Sequence, residues 1–150
     1  MRVLIQRVSM AKVRVENKKV GSIGRGYLLF VGFSKNDDKV IVDKVVNKII
    51  GLRIFEDDNN KMNLSLKEIA GAILSVSQFT LYADYTSGNR PGFQDALKYE
   101  EAIEMYDYFN NCLLCNDIKV EKGIFGANMQ VELINDGPVT IMIDSDLLKK

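Results

Sequence analysis

Two short polar segments contain the residues of this 150-residue chain that could do chemistry. The first, Ser77-Gln78-Phe79-Thr80, follows an apolar run and places two hydroxyl groups and an amide at the end of a predicted strand. Backbone amides in such a break can form an oxyanion hole, which lowers the barrier to acyl transfer by about 3 kcal/mol. The alternative is that Ser77 and Thr80 only satisfy neighbouring backbone groups, and the chemistry alone favours neither interpretation.

The second segment, residues 135–140 with the sequence Asn-Asp-Gly-Pro-Val-Thr, lies between two apolar runs near the end of the chain. Pro138 is one of only two prolines. Proline cannot donate to a β-ladder, and it is the residue that readily tolerates a preceding cis peptide bond. Taken alone, the segment predicts a strand, a tight turn and a second strand between Leu133 and Asp144.

The chain contains no histidine. This excludes Ser-His-Asp and Cys-His catalysis, histidine-ligated zinc and the usual general base near neutral pH. Cys112 and Cys115 form a CxxC pair, but two thiols alone cannot complete a four-ligand zinc site. The pair lies at the end of a predicted helix, whereas redox CxxC pairs lie at the start of one. We therefore interpret both cysteines as packing residues and expect neither a metal nor another cofactor.

Composition predicts a globular protein of the cytosol. The chain is 47% hydrophobic and 27% charged, it has no apolar run of membrane-spanning length, and its first residues lack the apolar core of a signal peptide. Twenty basic residues balance twenty acidic ones, which disfavours extensive binding along a nucleic-acid duplex. The balance is compatible with binding one short single-stranded end.

Apolar periodicity predicts one α+β domain over residues 1–150. Strands are predicted at 1–15, in the run YLLFVGF, at 70–81 and in three stretches after residue 118. Helices are predicted at 38–51, where Asn36 to Asp38 supply caps, and at 98–115. The predicted hairpins indicate a largely antiparallel sheet that curls toward a barrel, with two main helices.

Taken together, the two polar segments resemble the signatures of the D-aminoacyl-tRNA deacylase family. Its Ser-Gln-x-Thr and Asn-x-Gly-Pro-x-Thr motifs are intact here at 77–80 and 135–140. The surrounding runs LIQRV, RIFEDDNNKMNLS, SQFTLYAD, NRPGF and FGANMQVELINDGPVT also match, so the resemblance covers essentially the whole chain. It implies a homodimer that uses no cofactor and hydrolyses the ester joining a D-amino acid to the 3′-terminal adenosine of tRNA.

The resemblance also implies how handedness is selected. The Gly137-Pro138 peptide would be cis and would reach across the dimer interface into the partner's active site. Its main-chain carbonyls would accept hydrogen bonds from the substrate's α-ammonium group, and an L side chain would collide with the backbone. D-Amino acids would be tolerated broadly, and achiral glycine, including glycine mischarged on the alanine tRNA, would be poorly rejected.

Roles for single residues follow from the same resemblance. Residues 77–80 would line the catalytic pocket, with Gln78 and Phe79 shaping it and backbone amides stabilising the oxyanion. Thr80 would be a weak nucleophile without a neighbouring base, so assistance by the 2′-hydroxyl of the terminal ribose fits the sequence better. Further candidates are Arg7 as a brace for the Gly-Pro segment, Asn135 and Thr140 within that segment, and Phe79 and Met129 beside the adenine.

Three alternatives stay open at this point. Family members with longer tails have been associated with DNA binding, so a nucleic-acid-binding module is one. A sister deacylase with a trans Gly-Pro bond, accepting some L-aminoacyl esters, is the second. An inactive dimer that keeps only the fold is the third, and Arg7 could be no more than a charge at a strand edge.

Overall fold

The computed structural model describes residues 1–148. Three strands come first, followed by a helix, three short strands, a second helix and two further strands. Their bounds are β1 Arg2–Val15, β2 Lys18–Ile23, β3 Gly26–Gly32, α1 Lys39–Gly51, β4 Phe55–Glu56, β5 Met62–Leu64, β6 Ala72–Ser77, α2 Tyr99–Leu114, β7 Lys119–Lys122 and β8 Met129–Asp144, with 3₁₀ helices at Phe79–Tyr82 and Ser145–Leu148. This order confirms the predicted single α+β domain with two main helices.

Strand β1 organises the main sheet. It pairs antiparallel with β2 and β3 along one edge and with β8 along the other. Strands β3, β6 and β7 continue the sheet in parallel. Strand β2 also lies against β6 and β7, so the sheet curls until it is nearly closed. The predicted curled sheet is confirmed, with two parallel pairings that the hairpin pattern did not indicate.

Each face of the curled sheet covers its own apolar core. Helix α1 begins where the Asp38 carboxylate accepts a hydrogen bond from the Ile41 amide, as predicted for a capping residue. Both helices bury one apolar stripe against the outer face of the sheet, Val45 of α1 and Phe109 of α2 being fully buried. The opposite face encloses a smaller core between β1, β2, β3, β6 and β8.

The prediction of two strands separated by a tight turn between Leu133 and Asp144 is wrong. Strand β8 runs unbroken through the Gly-Pro pair. Its register shows why: Thr140 stands opposite Gln6 and Asn135 opposite Val8, so four residues of β8 face one residue of β1. The chain absorbs the proline in this bulge and keeps the two halves of the strand in line.

Two other expectations need correction. The strand predicted over 70–81 ends at Ser77, and the chain then enters the 3₁₀ helix Phe79–Tyr82. Of the two cysteines, Cys112 is half-buried against the core between the helices and the sheet, as expected, whereas Cys115 is exposed just beyond α2.

Within residues 1–148, no helix is both long and apolar enough to cross a lipid bilayer.

Candidate active site

A cavity of about 670 Å³ opens at the carboxyl ends of β3 and β6. Because these strands are parallel, with Val31 beside Ser77, their ends meet at one edge of the sheet. The segment 93–99, the first turns of α2 and the segment 125–129 complete the walls. The volume suits a ligand of nucleoside size with a small substituent.

The structure brings three of the four residues of the first motif into this cavity. Ser77, Gln78 and Phe79 line it, whereas Thr80 lies in the 3₁₀ helix just beyond. The Gln78 amide donates to the Val31 carbonyl at 2.7 Å, which ties the start of the helix to the sheet. The Gln78 side-chain amide donates to the Thr80 hydroxyl, so that hydroxyl is already engaged.

The polar groups of this end of the cavity come mainly from the main chain. Among residues 1–148, the Phe79 and Thr80 N–H groups donate to no backbone carbonyl outside the helix, as expected at the start of a helical turn. No carboxylate lines the cavity, and Lys98 is the one charged side chain that the described walls contain. An oxyanion could therefore be stabilised here by backbone amides, without a side-chain base.

Tyr82 is the nearest titratable group of the 3₁₀ helix. Burial, and to a smaller extent the neighbouring Asp37 carboxylate, raise the pKa of Tyr82. The phenol thus stays protonated at neutral pH and cannot act as a base for Thr80.

Two pairs of aromatic side chains line the cavity. Phe79 meets Phe93 edge to face at 4.9 Å between ring centroids, and Tyr99 meets Phe125 at 5.2 Å. Met129 also lines the cavity. The sequence reasoning missed three of these rings; NRPGF and FGANMQ contained two of them, whereas nothing at the start of α2 marked Tyr99.

The second motif lies elsewhere on the same chain. Ser77 pairs with Val31, Val31 with Val3, and Val3 with Ile143, so β3 and β1 separate β6 from the C-terminal half of β8. Gly137–Pro138 is exposed and lines no part of the cavity, and it lies six residues along β8 beyond Val131, which does line it. One chain alone therefore does not bring the two motifs together.

A buried arginine fixes the second motif. Arg7 is 4% exposed; its Nε donates to the Asp136 carbonyl at 3.0 Å, and its Nη1 donates to the Ile54 carbonyl at 2.7 Å. The carboxylates of Asp136 and Glu56 lie 3.7 and 3.8 Å from the guanidinium. Backbone carbonyls and acidic groups together compensate the burial of the charge.

Asn135 holds the other side of the bulge. With its side-chain oxygen facing the Thr140 hydroxyl at 2.9 Å, its nitrogen donates to the Val139 and Arg7 carbonyls at 3.1 and 3.0 Å. The backbone is therefore fixed on both sides of Gly137. The peptide bond from Gly137 to Pro138 is cis, whereas the sister deacylase considered from the sequence would have a trans bond.

Comparisons with known proteins agree along the whole chain. The sequence model of the D-Tyr-tRNA(Tyr) deacylase family matches residues 4–144. A D-aminoacyl-tRNA deacylase of Listeria monocytogenes serotype 4b is 52% identical over 150 residues, all of both chains. One from an Exiguobacterium species is 51% identical over 146 residues, 97% of this chain and 99% of its own.

Two solved structures share the fold. A c-Myc DNA unwinding element binding protein superposes with a TM-score of 0.90 at 38% identity, over 96% of this chain and 98% of its own. A probable eukaryotic D-amino acid tRNA deacylase superposes with a TM-score of 0.81 at 21% identity, over 95% and 97%. The second likeness concerns the fold alone.

The protein is a deacylase by class. Its nearly closed sheet has a histidine-free pocket at one edge, and its sequence is similar over the full length to named deacylases. More specifically, the chain belongs to the D-Tyr-tRNA(Tyr) deacylase family. The family and the enzyme class predicted from the sequence are both confirmed.

The contacts of Arg7 predict that Arg7→Lys will destabilise the protein. A lysine ammonium lacks the planar fork that reaches both carbonyls, so one buried acceptor loses its charged donor. We expect the free energy of unfolding to fall by about 2 kcal/mol in urea titrations. Arg14→Lys, an exposed change on the same strand, is the matched control and should stay within about 0.5 kcal/mol of wild type. Equal effects of the two substitutions would contradict the bracing role.

Proposed function

We propose that this protein hydrolyses the ester bond between a D-amino acid and the 3′-terminal adenosine of tRNA, in the cytosol, where charged tRNA is used. One observation carries the proposal: both motifs of the family are intact, and the first lines a cavity of nucleoside size. The aromatic side chains of the lining, among them Phe79 and Tyr99, provide faces on which an adenine can stack.

Catalysis in this proposal depends on main-chain groups. The ester carbonyl oxygen accepts hydrogen bonds from the Phe79 and Thr80 amides as negative charge develops on it. A water molecule attacks the carbonyl carbon, and the adjacent 2′-hydroxyl of the terminal ribose relays the proton that the leaving 3′-oxygen takes up. The described cavity lining contains no carboxylate and the chain no histidine, which supports a mechanism in which backbone amides stabilise the oxyanion and the RNA hydroxyl transfers the proton.

Selection of handedness is assigned to the Gly137–Pro138 segment of a second copy of the chain. Its main-chain carbonyls accept hydrogen bonds from the substrate's α-ammonium group, and an L side chain collides with the backbone. A D side chain points toward solvent. Glycine has no side chain to collide, so glycyl-tRNA, including glycine mischarged on the alanine tRNA, is cleaved as well. The exposure of the segment and its firm attachment through Arg7 support this role.

The second copy is inferred from the surface of β8. Ile134 and Met142 lie on its outward face, on either side of the Gly-Pro segment, and are 58% and 48% exposed. A two-fold dimer that packs these faces together would bury both apolar side chains and carry each Gly-Pro segment toward the partner's cavity. The same contact would therefore complete two identical active sites.

DNA binding is the second candidate, because the structural neighbour at 38% identity is described as a DNA unwinding element binding protein. The zero net charge of this chain weighs against tracking a duplex. Affinity for duplex DNA that falls steeply with salt, without deacylation, would favour this candidate.

The proposed function predicts a distinct order of substrates. Single-turnover assays with D-tyrosyl-, glycyl- and L-tyrosyl-tRNA should show rapid hydrolysis of the first, slower hydrolysis of the second and no enzyme-dependent loss of the third. The reason is that only the L side chain meets the Gly-Pro backbone. Hydrolysis of D- and L-tyrosyl-tRNA at similar rates would contradict selection by handedness.

The main-chain mechanism predicts that Thr80→Ala will retain substantial activity on D-tyrosyl-tRNA. The substitution removes a hydroxyl that is hydrogen-bonded to Gln78 and keeps the backbone amide. A covalent role for Thr80 would instead lower the single-turnover rate by about 1,000-fold or more. Complete loss of activity, with D-tyrosyl-tRNA still bound, would rule out assistance by the RNA as the main route.

A shared site predicts complementation between two inactive variants. Gly137→Val should abolish activity, because an added Cβ lies 2.8 Å from a Val139 methyl and 2.9 Å from Arg7 Nη2, and the φ of +127° is unfavourable for a side chain. Ala127→Trp should block the cavity that Ala127 lines. Mixed after dissociation, the two should recover about a quarter of wild-type activity, since half of the dimers are mixed and each has one intact site. No recovery in mixed dimers isolated with two different tags would contradict sharing.

A further inference from the structure

One rim of the cavity is formed by residues 84–98, here called the pocket lip. Asp84 and Gly92 exchange backbone hydrogen bonds of 2.7 and 2.8 Å, which close the loop between them. The Leu97 amide donates to the Phe33 carbonyl at 2.9 Å and anchors the far end beside β3. Phe93, between these two anchors, lines the cavity. The lip is thus a built part of the cavity mouth.

Two cations of the lip have no anionic partner in the structure. Lys98 lines the cavity, and Arg90 is exposed three residues before Phe93. Within the described part of the chain, neither side chain lies within 4.0 Å of a carboxylate oxygen or donates a hydrogen bond. By contrast, Arg2 and Lys12 of β1 form ion pairs of 3.0 and 2.8 Å.

The acidic groups of the lip are largely engaged. Asp84 accepts hydrogen bonds from the Thr86 amide and hydroxyl at 3.0 and 2.7 Å, and these bonds lower the pKa of its carboxyl group. Asp95 forms an ion pair with Lys35 at 2.7 Å. Glu100 and Glu101 follow in the first turn of α2, yet neither carboxylate pairs with Lys98. The lip contains two acidic and two basic side chains, so Arg90 and Lys98 are distinguished by having no ion pair among the described residues and not by an excess of positive charge.

We infer that Arg90 and Lys98 bind the phosphodiester backbone of the single-stranded 3′ end of tRNA, where it leaves the cavity that holds the terminal adenosine. The inference rests on the proposed function and adds the contacts that make the substrate an RNA and not a free nucleoside ester. The exposed ring of Tyr85 in the same loop is 72% accessible and provides a stacking face for an unpaired base.

Contacts to phosphates are independent of base identity, so the lip recognises the strand in every tRNA alike. Each phosphate neutralised by a cation releases counterions, and for single strands the logarithm of affinity falls with the logarithm of salt concentration with a slope of about 0.7 per contact. At about 0.1 M salt, one such contact corresponds to a factor of about five in kcat/KM.

The test compares D-tyrosyl-tRNA with 3′-O-(D-tyrosyl)adenosine, which has no phosphate. Arg90→Gln, Lys98→Met and the double variant are assayed on both substrates across a salt series. We expect the ratio of kcat/KM on tRNA to kcat/KM on the nucleoside ester to fall about fivefold for each cation and about 25-fold for the pair. The salt slope on tRNA should become shallower by about 0.7 per cation.

Lys19→Met is the matched control, since Lys19 is an exposed cation of β2 at the hairpin remote from the cavity. It should leave both the ratio and the salt slope at their wild-type values. A double variant with an unchanged ratio and slope would overturn the inference, as would equal losses on the two substrates. Wild-type protein that hydrolyses neither substrate would refute the proposed function itself, which is a separate outcome.

Discussion

The rest of the structure depends on the hydrogen bonds that the buried Arg7 guanidinium donates to backbone carbonyls. Arg7 lies inside the protein at the point where β1 faces the bulge of β8, and a charge in that position must be matched by acceptors. The carbonyls of Asp136 and Ile54 match it, and this match determines the path of the backbone through Gly137. The segment is held in one conformation while its outer surface stays exposed. The proposed rejection of L side chains by collision needs this rigidity, because a flexible backbone would move aside for L and D side chains alike.

The chemistry is constrained in a complementary way by the absence of histidine. The described cavity lining contains neither histidine nor carboxylate, so the proposed mechanism relies on amides whose positions follow from the ends of β3 and β6. Such a site is defined by backbone geometry, which the sheet and the Gln78–Val31 hydrogen bond provide. In the proposed mechanism, individual side chains such as Thr80 contribute little, whereas any change that shifts the end of β6 would alter the proposed oxyanion site.

How much the sequence could predict depended on whether a feature is local. Both helices were predicted because their apolar residues recur at helical spacing and Asp38 provides a cap. Strand β8 was divided wrongly, because proline is a turn signal in sequence, whereas the bulge that admits it exists only in the pairing with β1. The helical turn after Ser77 was missed for a similar reason, since its first residues are apolar and polar in a pattern that also fits a strand.

The site was predictable only in its motifs. Residues 77–80 and 135–140 could be named as candidates from their types, and a family resemblance gave them roles. Their separation on the sheet could not be read from the sequence, because it depends on which strands are neighbours. The second aromatic pair of the cavity could not be predicted either, because Tyr99 and Phe125 come from segments that meet only after α2 packs on the sheet.

On the proposed dimer, β1 mechanically links the two active sites. Through Val3 and Val31 it adjoins the strand that ends at its own cavity, and through Arg7 it fixes the segment that serves the partner's cavity. The elements lie in one sheet with continuous pairing, so a displacement of β1 would alter the oxyanion amides of one site and the handedness filter of the other. The rate of ester hydrolysis and the selectivity for D-amino acids are therefore expected to change together, because β1 supports the backbone of both elements.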